Sequence, residues 1–190
     1  IANDIPPFVD AHHHLWDLSA NYYPWLTNNI TTRVCGEYSA IRKNYLLNDF
    51  FNDVSSVNLV KSIHVQAEHD QTDPVRETRW LQKIADTPGS KGFPHGIIAF
   101  ADLSSPDVEV ILAAHSRYLN VRGIRQMLHE SIVDPNKPRP SLLENSMWRK
   151  NIHLLKKYGL SFDLQVYPQQ MAQACELINE HEDLLFILCH

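Results

Sequence analysis

Three consecutive histidines, His12-His13-His14, close an apolar run that begins at Phe8, Val9 and Ala11. Side chains alternate along an extended chain, so His12 and His14 fall on one face and His13 on the other. Two imidazoles then converge on one point. A neutral imidazole nitrogen is the commonest ligand of a zinc-type divalent ion, and a His-x-His pair on a strand presents two without help from a loop. The spacing alone leaves open a metal-free polar centre or a surface histidine run. A tag remnant is disfavoured by the apolar and aromatic residues on both sides.

Further β-rich runs at residues 59–67, 96–102, 121–126, 160–167 and 184–189 must position any partners of these histidines. Helical periodicity fills the gaps. Trp80, Leu81 and Ile84 mark the inner side of a helix over residues 74–85, and Ser105 caps a helix that starts at Pro106. Trp148, Ile152 and Leu155 stripe another, closed by Lys156, Lys157 and Gly159. Met171, Ala174, Cys175 and Ile178 share the face of a helix begun by Pro168.

Residues 15–56 form a long connection rich in rings, among them Trp16, Tyr22, Tyr23 and Trp25. It is expected to fold over the histidines or to make a satellite core, with a helix across residues 39–52 turning Ile41, Tyr45 and Leu46 inward.

Strands that alternate with helices, several of them nearly continuous apolar runs, define an α/β chain with parallel strands covered on both faces. A doubly wound sheet and a (β/α)8 barrel both fit, but the Gly-x-Gly-x-x-Gly of a dinucleotide fold is absent. Polar residues collect at strand carboxyl ends: His12, His14, Gln66, Asp102, Arg125, Gln165, Tyr167 and His190. A barrel builds its active site there.

Composition narrows the partners. At 190 residues, 44% hydrophobic and 21% charged, the chain reads as ordinary globular protein. The formal charge of -5 and the scattered Lys and Arg argue against nucleic acid or an anionic membrane as partner. No apolar run approaches the roughly 20 residues of a membrane span, and no secretory signal opens the chain. Cys35, Cys175 and Cys189 show no ligand spacing, so they are expected to be reduced, buried and cytoplasmic.

The run Val-Asp-Ala-His-His-His-Leu-Trp-Asp with Tyr23-Pro24-Trp25-Leu26 resembles the opening of the amidohydrolase-related family, in the branch of L-fuconolactonase-type sugar lactonases and 2-pyrone-4,6-dicarboxylate lactonases. The resemblance continues through Ile63-His64-Val65-Gln66-Ala67, Glu77-Thr78, Trp80-Leu81, Gly123-Ile124-Arg125 and Phe162-Asp163-Leu164 to Leu188-Cys189-His190. It implies a (β/α)8 TIM barrel of the metal-dependent hydrolase type, with His12, His14 and His190 at its mouth as metal ligands. It also implies a base aspartate after strand eight. The bridging lysine of binuclear relatives has no counterpart where Asp163, Gln165 and Tyr167 stand, so one zinc-type ion or none is expected. Because a full barrel takes about 250 residues, residues 1–190 are expected to form a single barrel domain lacking the last two strand-helix units.

The expected activity is hydrolysis of a small lactone. His12, His14, His190 and Arg125 would be catalytic, and Gln66, Gln165, Tyr167 and Trp25 would bind substrate. A pyrone dicarboxylate demands several arginine forks, whereas only Arg122 and Arg125 stand at a strand end, so a sugar-acid lactone is preferred. The alternatives are metal-dependent decarboxylation of a small unsaturated or aromatic acid, or an inactive or binding barrel. The isolated fragment is expected to be inactive, and homo-oligomerisation is left open.

Overall fold

The structure, a computed structural model, describes residues 5–29, 36–128 and 141–189. Cys35, His129, most of the Pro-punctuated segment and His190 lie outside the described residues. The chain divides into two compact units, Ile1–Ile97 and Ile98–His190. No helix among the described residues is long and apolar enough to cross a membrane.

In the first unit, β1 (Phe8–His13) and β2 (Leu59–Val65) pair in parallel, with Asp10 opposite Ser62 and His13 opposite His64. The register is interrupted between Asp10 and His13. Such an irregularity kinks a strand and re-aims its side chains, and here it falls on the histidine run.

The connection between these strands holds α1 (Pro24–Thr27), a 3-10 turn (Ser39–Ile41) and α2 (Leu47–Asp53). The single helix expected over residues 39–52 is broken. Tyr45 leaves it to bridge Trp16 through two backbone hydrogen bonds of 3.0 Å, and the Asp49 carboxylate accepts the Leu46 N–H to start α2 afresh. Ile41, expected to face inward, is exposed. Trp16, Tyr23, Leu26 and Ala67 form a buried cluster, with Leu18, Trp25 and Tyr45 packed against it.

The helix α3 (Pro74–Ala85) has the bounds the periodicity predicts, with Pro74 in its first turn. It buries Glu77, Thr78, Leu81, Gln82 and Ala85, while Trp80 and Ile84 are half-buried. The buried face is more polar than expected because the Glu77 carboxylate is satisfied there. It accepts hydrogen bonds from the Tyr23 hydroxyl at 3.2 Å and from the Ala67 N–H at 3.1 Å. The next strand, β3 (Gly96–Ala99), is buried throughout.

The second unit contains α4 (Val108–His115), β4 (Val121–Arg125), α5 (Ser146–Asn151), α6 (Leu154–Lys157), β5 (Ser161–Leu164), α7 (Met171–Glu180) and β6 (Phe186–Leu188). Both strand pairs are parallel. Arg125 lies opposite Asp163, and Asp163 opposite Ile187. Gly123 permits this approach, since a Cβ there would lie 2.2 Å from Ser161 Oγ and 2.9 Å from Ser161 O.

Trp148, fully buried on α5, meets the Phe162 ring edge-to-face at 5.5 Å. Its indole N–H donates to Gln126 Oε1 at 2.8 Å, and its backbone N–H is capped by Asn145 Oδ1. Gly159 adopts φ +64, as the expected helix-ending residue. α4 starts two residues later than the Ser105-Pro106 signal predicts, at Val108 after Asp107. On α7 the buried residues are Ala174 and Leu177, so Met171 and Cys175 are exposed rather than core. The 3-10 turn at Pro168–Gln170 moves the start of the α-helix and rotates its face.

Candidate active site

The first unit brings His12 and His14 together. Their rings lie 5.1 Å apart, edge to face at 83°. His13 points elsewhere, buried in a stack on Phe50 of α2 at 4.2 Å, as the alternation predicts. Burial pushes the His13 imidazole down to about 4, so it is neutral at pH 7.

His14 Nδ1 lies 2.7 Å from the Val65 carbonyl oxygen. A carbonyl only accepts, so the proton sits on Nδ1 and the lone pair on Nε2. This is the arrangement in which a metal-binding histidine is oriented by its second nitrogen. His64, on the neighbouring strand, is fully buried, with its ring edge-to-face with His14 at 6.0 Å and with His13 at 5.6 Å. His64 Nε2–H donates to Leu15 O at 3.2 Å. His69 and His115 are also buried.

Gln66 is buried just beyond β2, where its Oε1 accepts the Glu68 N–H at 2.6 Å. That bond closes a turn in which Glu68 adopts φ +56, a left-handed conformation uncommon for a residue with a Cβ. Trp25 Nε1–H donates to Ala67 O at 2.8 Å, pinning the indole to the same strand end. The aromatic segment makes a satellite core and also reaches the histidine run, with Trp16 6.4 Å from the His14 ring and Phe50 stacked on His13. A cleft of about 300 Å³ opens nearby, between residues 18–22 and His69, Asp70, Asp73 and Arg76. None of the candidate site residues lines it.

The second unit brings Arg125 and Gln165 together. Arg125 is buried at the end of β4, and its Nη1 donates to Gln165 Oε1 at 3.3 Å. Tyr167 is half-buried, and its N–H donates to Gln170 Oε1 at 3.0 Å, which starts the following 3-10 turn. Asp163, absent from the candidate set, is buried beside Arg125 and accepts a hydrogen bond from Cys189 Sγ at 3.3 Å. Burial raises its carboxyl above the usual range, against the lowering effect of Cys189 and the Arg125 charge. The alternation that turns Phe162 toward Trp148 puts Asp163 on the opposite face, and this signal was present in the sequence.

The described residues supply two imidazoles suited to a divalent ion, His12 and His14. Among them there is no group of three His, Cys, Asp or Glu that could hold one. The third expected ligand, His190, lies outside them. The donor chemistry of the His12 and His14 imidazoles fits a zinc-type ion.

Parallel strand-helix units with a His-x-His pair at the end of the first strand match the (β/α)8 barrel fold of solved amidohydrolases, of which this chain holds the first six strands. The chain belongs to the amidohydrolase family, whose family model matches residues 9–190.

Over 184 residues it is 42% identical to a protein of Sinorhizobium fredii named uncharacterized protein y4mH, covering 96% of this chain and 61% of that one. It is 21% identical over 182 residues to L-fucono-1,5-lactonase of Burkholderia ambifaria, covering 96% of this chain and 56% of the relative. An amidohydrolase from Burkholderia multivorans, solved with bound zinc, superposes with a TM-score of 0.66 at 19% identity, over 94% of this chain and 55% of that one. A probable 2-pyrone-4,6-dicarboxylic acid hydrolase from Acinetobacter baumannii, solved with citric acid, gives 0.59 at 15% identity, over 90% and 54%. The chain thus spans between about half and three fifths of the length of these relatives.

Proposed function

We propose that the protein hydrolyses a small lactone, with a sugar-acid lactone as substrate. The observation that carries this reading is the paired His12 and His14 rings, with His14 held by the Val65 carbonyl so that Nε2 carries the lone pair. Membership of the amidohydrolase family supports hydrolysis, and the 21% identical relative named as a lactonase supports the choice of a cyclic ester.

In this reading His12, His14 and His190 are the metal ligands of a single barrel domain. A zinc-type ion held there would supply Lewis acidity toward the ester carbonyl. Arg125 donates to the oxygen on which negative charge develops as water attacks the carbonyl carbon. The ring C–O bond then breaks, and the proton taken from water by the strand-eight carboxylate passes to the leaving oxygen. Gln66, Gln165 and Tyr167 both donate and accept, which suits the hydroxyls of an aldonolactone, and Trp25 offers an apolar ring face.

The test is turnover by the full-length protein, with and without added zinc, of a panel of aldonolactones and of a pyrone dicarboxylate. Ring opening of aldonolactones is the expected result. Activity confined to the pyrone would overturn the substrate class, and release of carbon dioxide without ring opening would assign a decarboxylase instead.

A further inference from the structure

The cleft in the first unit has a polar wall. Asn21 and His69 line it, and each is only 6% exposed. Arg76 can only donate, so its Nε–H, 3.4 Å from Asn21 Oδ1, fixes the carbonyl side of that amide toward the guanidinium. The NH2 side is turned away, and Asn21 Nδ2 has no hydrogen-bond partner among the described residues. His69 Nδ1–H donates to Asp70 O at 3.1 Å, which leaves the lone pair on Nε2, again without a partner among them. Burial lowers the His69 pKa, so the ring is neutral at pH 7 and Nε2 is an acceptor. A buried donor and a buried acceptor left unmet are destabilising, and two that line one cleft need a reason.

The other lining residues narrow the chemistry. Asp70, Asp73 and Arg76 bring two carboxylates and one guanidinium to the cleft. Two of these charges are anchored: Asp70 Oδ1 accepts the Thr72 N–H at 3.0 Å and its hydroxyl at 2.9 Å, and Arg76 Nη2 donates to Ala20 O at 2.7 Å. An anion entering the cleft would meet two carboxylates and the His69 lone pair, and a cation would meet the guanidinium and the amide hydrogens of Asn21. A hydroxyl suits both sets, because it donates and accepts. Tyr22, 45% exposed, adds an aromatic ring, and its hydroxyl donates to Asn28 Oδ1 at 2.9 Å. The volume of about 300 Å³ is at the small end for small-molecule sites and has room for a single sugar ring.

We propose that this cleft binds a neutral polyhydroxylated molecule of single-ring size, a monosaccharide or an open-chain polyol of similar length. Asn21 Nδ2 donates to one of its oxygens, His69 Nε2 accepts from one of its hydroxyls, and the Tyr22 ring packs on its C–H face. None of the candidate catalytic or substrate-binding residues lines the cleft, so the inference does not rest on lactone hydrolysis.

The experiment is a titration of the 15N-labelled full-length protein with galactose, xylose and sorbitol, and with gluconate and glucosamine as charged counterparts. The side-chain NH2 signal of Asn21 and the Nε2 signal of His69 are expected to move with the neutral compounds, with a dissociation constant of about 1 mM or tighter for the best of them. The charged compounds should bind there about tenfold more weakly or not at all. Shifts caused by the charged compounds alone would overturn the ligand class. No shift at Asn21 and His69 with any compound would overturn the site and leave both atoms to ordered water.

Two variants extend the test. His69→Phe removes the acceptor but keeps a ring against Tyr23, which His69 meets edge-to-face at 5.3 Å, and it should weaken binding of the neutral compounds about tenfold. A buried substitution can disturb folding, so Tyr22→Ala, made at an exposed residue, is the second: it should weaken binding while leaving the thermal unfolding midpoint unchanged. Binding as tight in Tyr22→Ala and in any folded His69→Phe as in the unaltered protein would refute the proposal. Sugar binding at Asn21 and His69 in a protein that opens no lactone would uphold the cleft and reject the proposed hydrolysis.

Discussion

His14 Nδ1 donates to the carbonyl oxygen of Val65 over 2.7 Å, joining the loop after β1 to the last residue of β2. This bond selects the tautomer and fixes the ring plane, which a His-x-His spacing cannot do by itself. Its worth can be measured through the metal. His14→Ala and His12→Ala in the full-length protein should each weaken zinc binding by at least about tenfold, the scale typical of losing an orienting contact or more. Competition with a chromophoric chelator checks this, and unchanged affinity in both variants would remove the pair from the metal site.

Glu77 ties two segments of the first unit through Tyr23 and the Ala67 N–H. Tyr23→Phe removes one donor and leaves that carboxylate oxygen less satisfied, at a cost of about 1–3 kcal/mol. Glu77→Ala should be worse, since it strands two buried donors. Chemical denaturation gives both values, and the order of the two variants is the informative result.

His115 is fully buried, with Nε2–H donating to Phe100 O at 2.9 Å, and burial pushes its pKa down to about 4. The unfolded chain, with an ordinary histidine, takes up a proton near pH 6.5. Below that pH the unfolded state binds more protons than the folded one, so stability falls as pH drops from 6.5 toward 4. The slope from this group is at most about 1.4 kcal/mol per pH unit. Unfolding midpoints between pH 4 and 7 should show a shallower decline in His115→Gln than in the unaltered protein.

Gly123→Ala would place a Cβ against both the side chain and the backbone of Ser161. The expected loss is about 1–3 kcal/mol, the range for overpacking a tight contact. Adding Ser161→Ala should recover only part of it, because the Ser161 carbonyl remains at 2.9 Å. Full recovery would show that the hydroxyl alone set the limit.

Trp148→Ala should cost about 3–5 kcal/mol, the range for emptying a large aromatic site, and it leaves Gln126 Oε1 with fewer donors. Trp148→Phe separates the two effects, keeping most of the ring while removing the indole N–H. Thermal unfolding of the pair distinguishes packing from hydrogen bonding.

Long periodic elements were the most legible. α3 keeps its expected bounds because Pro74 starts it and Leu81 and Ala85 recur at helical spacing on its buried face. The segment over residues 39–52 failed as one helix because Tyr45 gains a backbone bridge to Trp16, a contact between residues far apart in sequence. The α7 face was misplaced for a smaller reason: Pro168 begins a 3-10 turn rather than the α-helix, which shifts the phase of every later residue.

Composition and pattern alone determined the α/β class, the order of strands and helices, and the facing of His12 and His14 away from His13, since each follows from side-chain periodicity and local backbone preference. Tertiary structure decided which nitrogen of His14 carries its proton, that Glu77 is a buried tie between segments, and that Asp163 stands beside Arg125. Those facts depend on neighbours brought from distant parts of the chain, and burial changes the energy of a charge or hydrogen bond only after that neighbourhood exists.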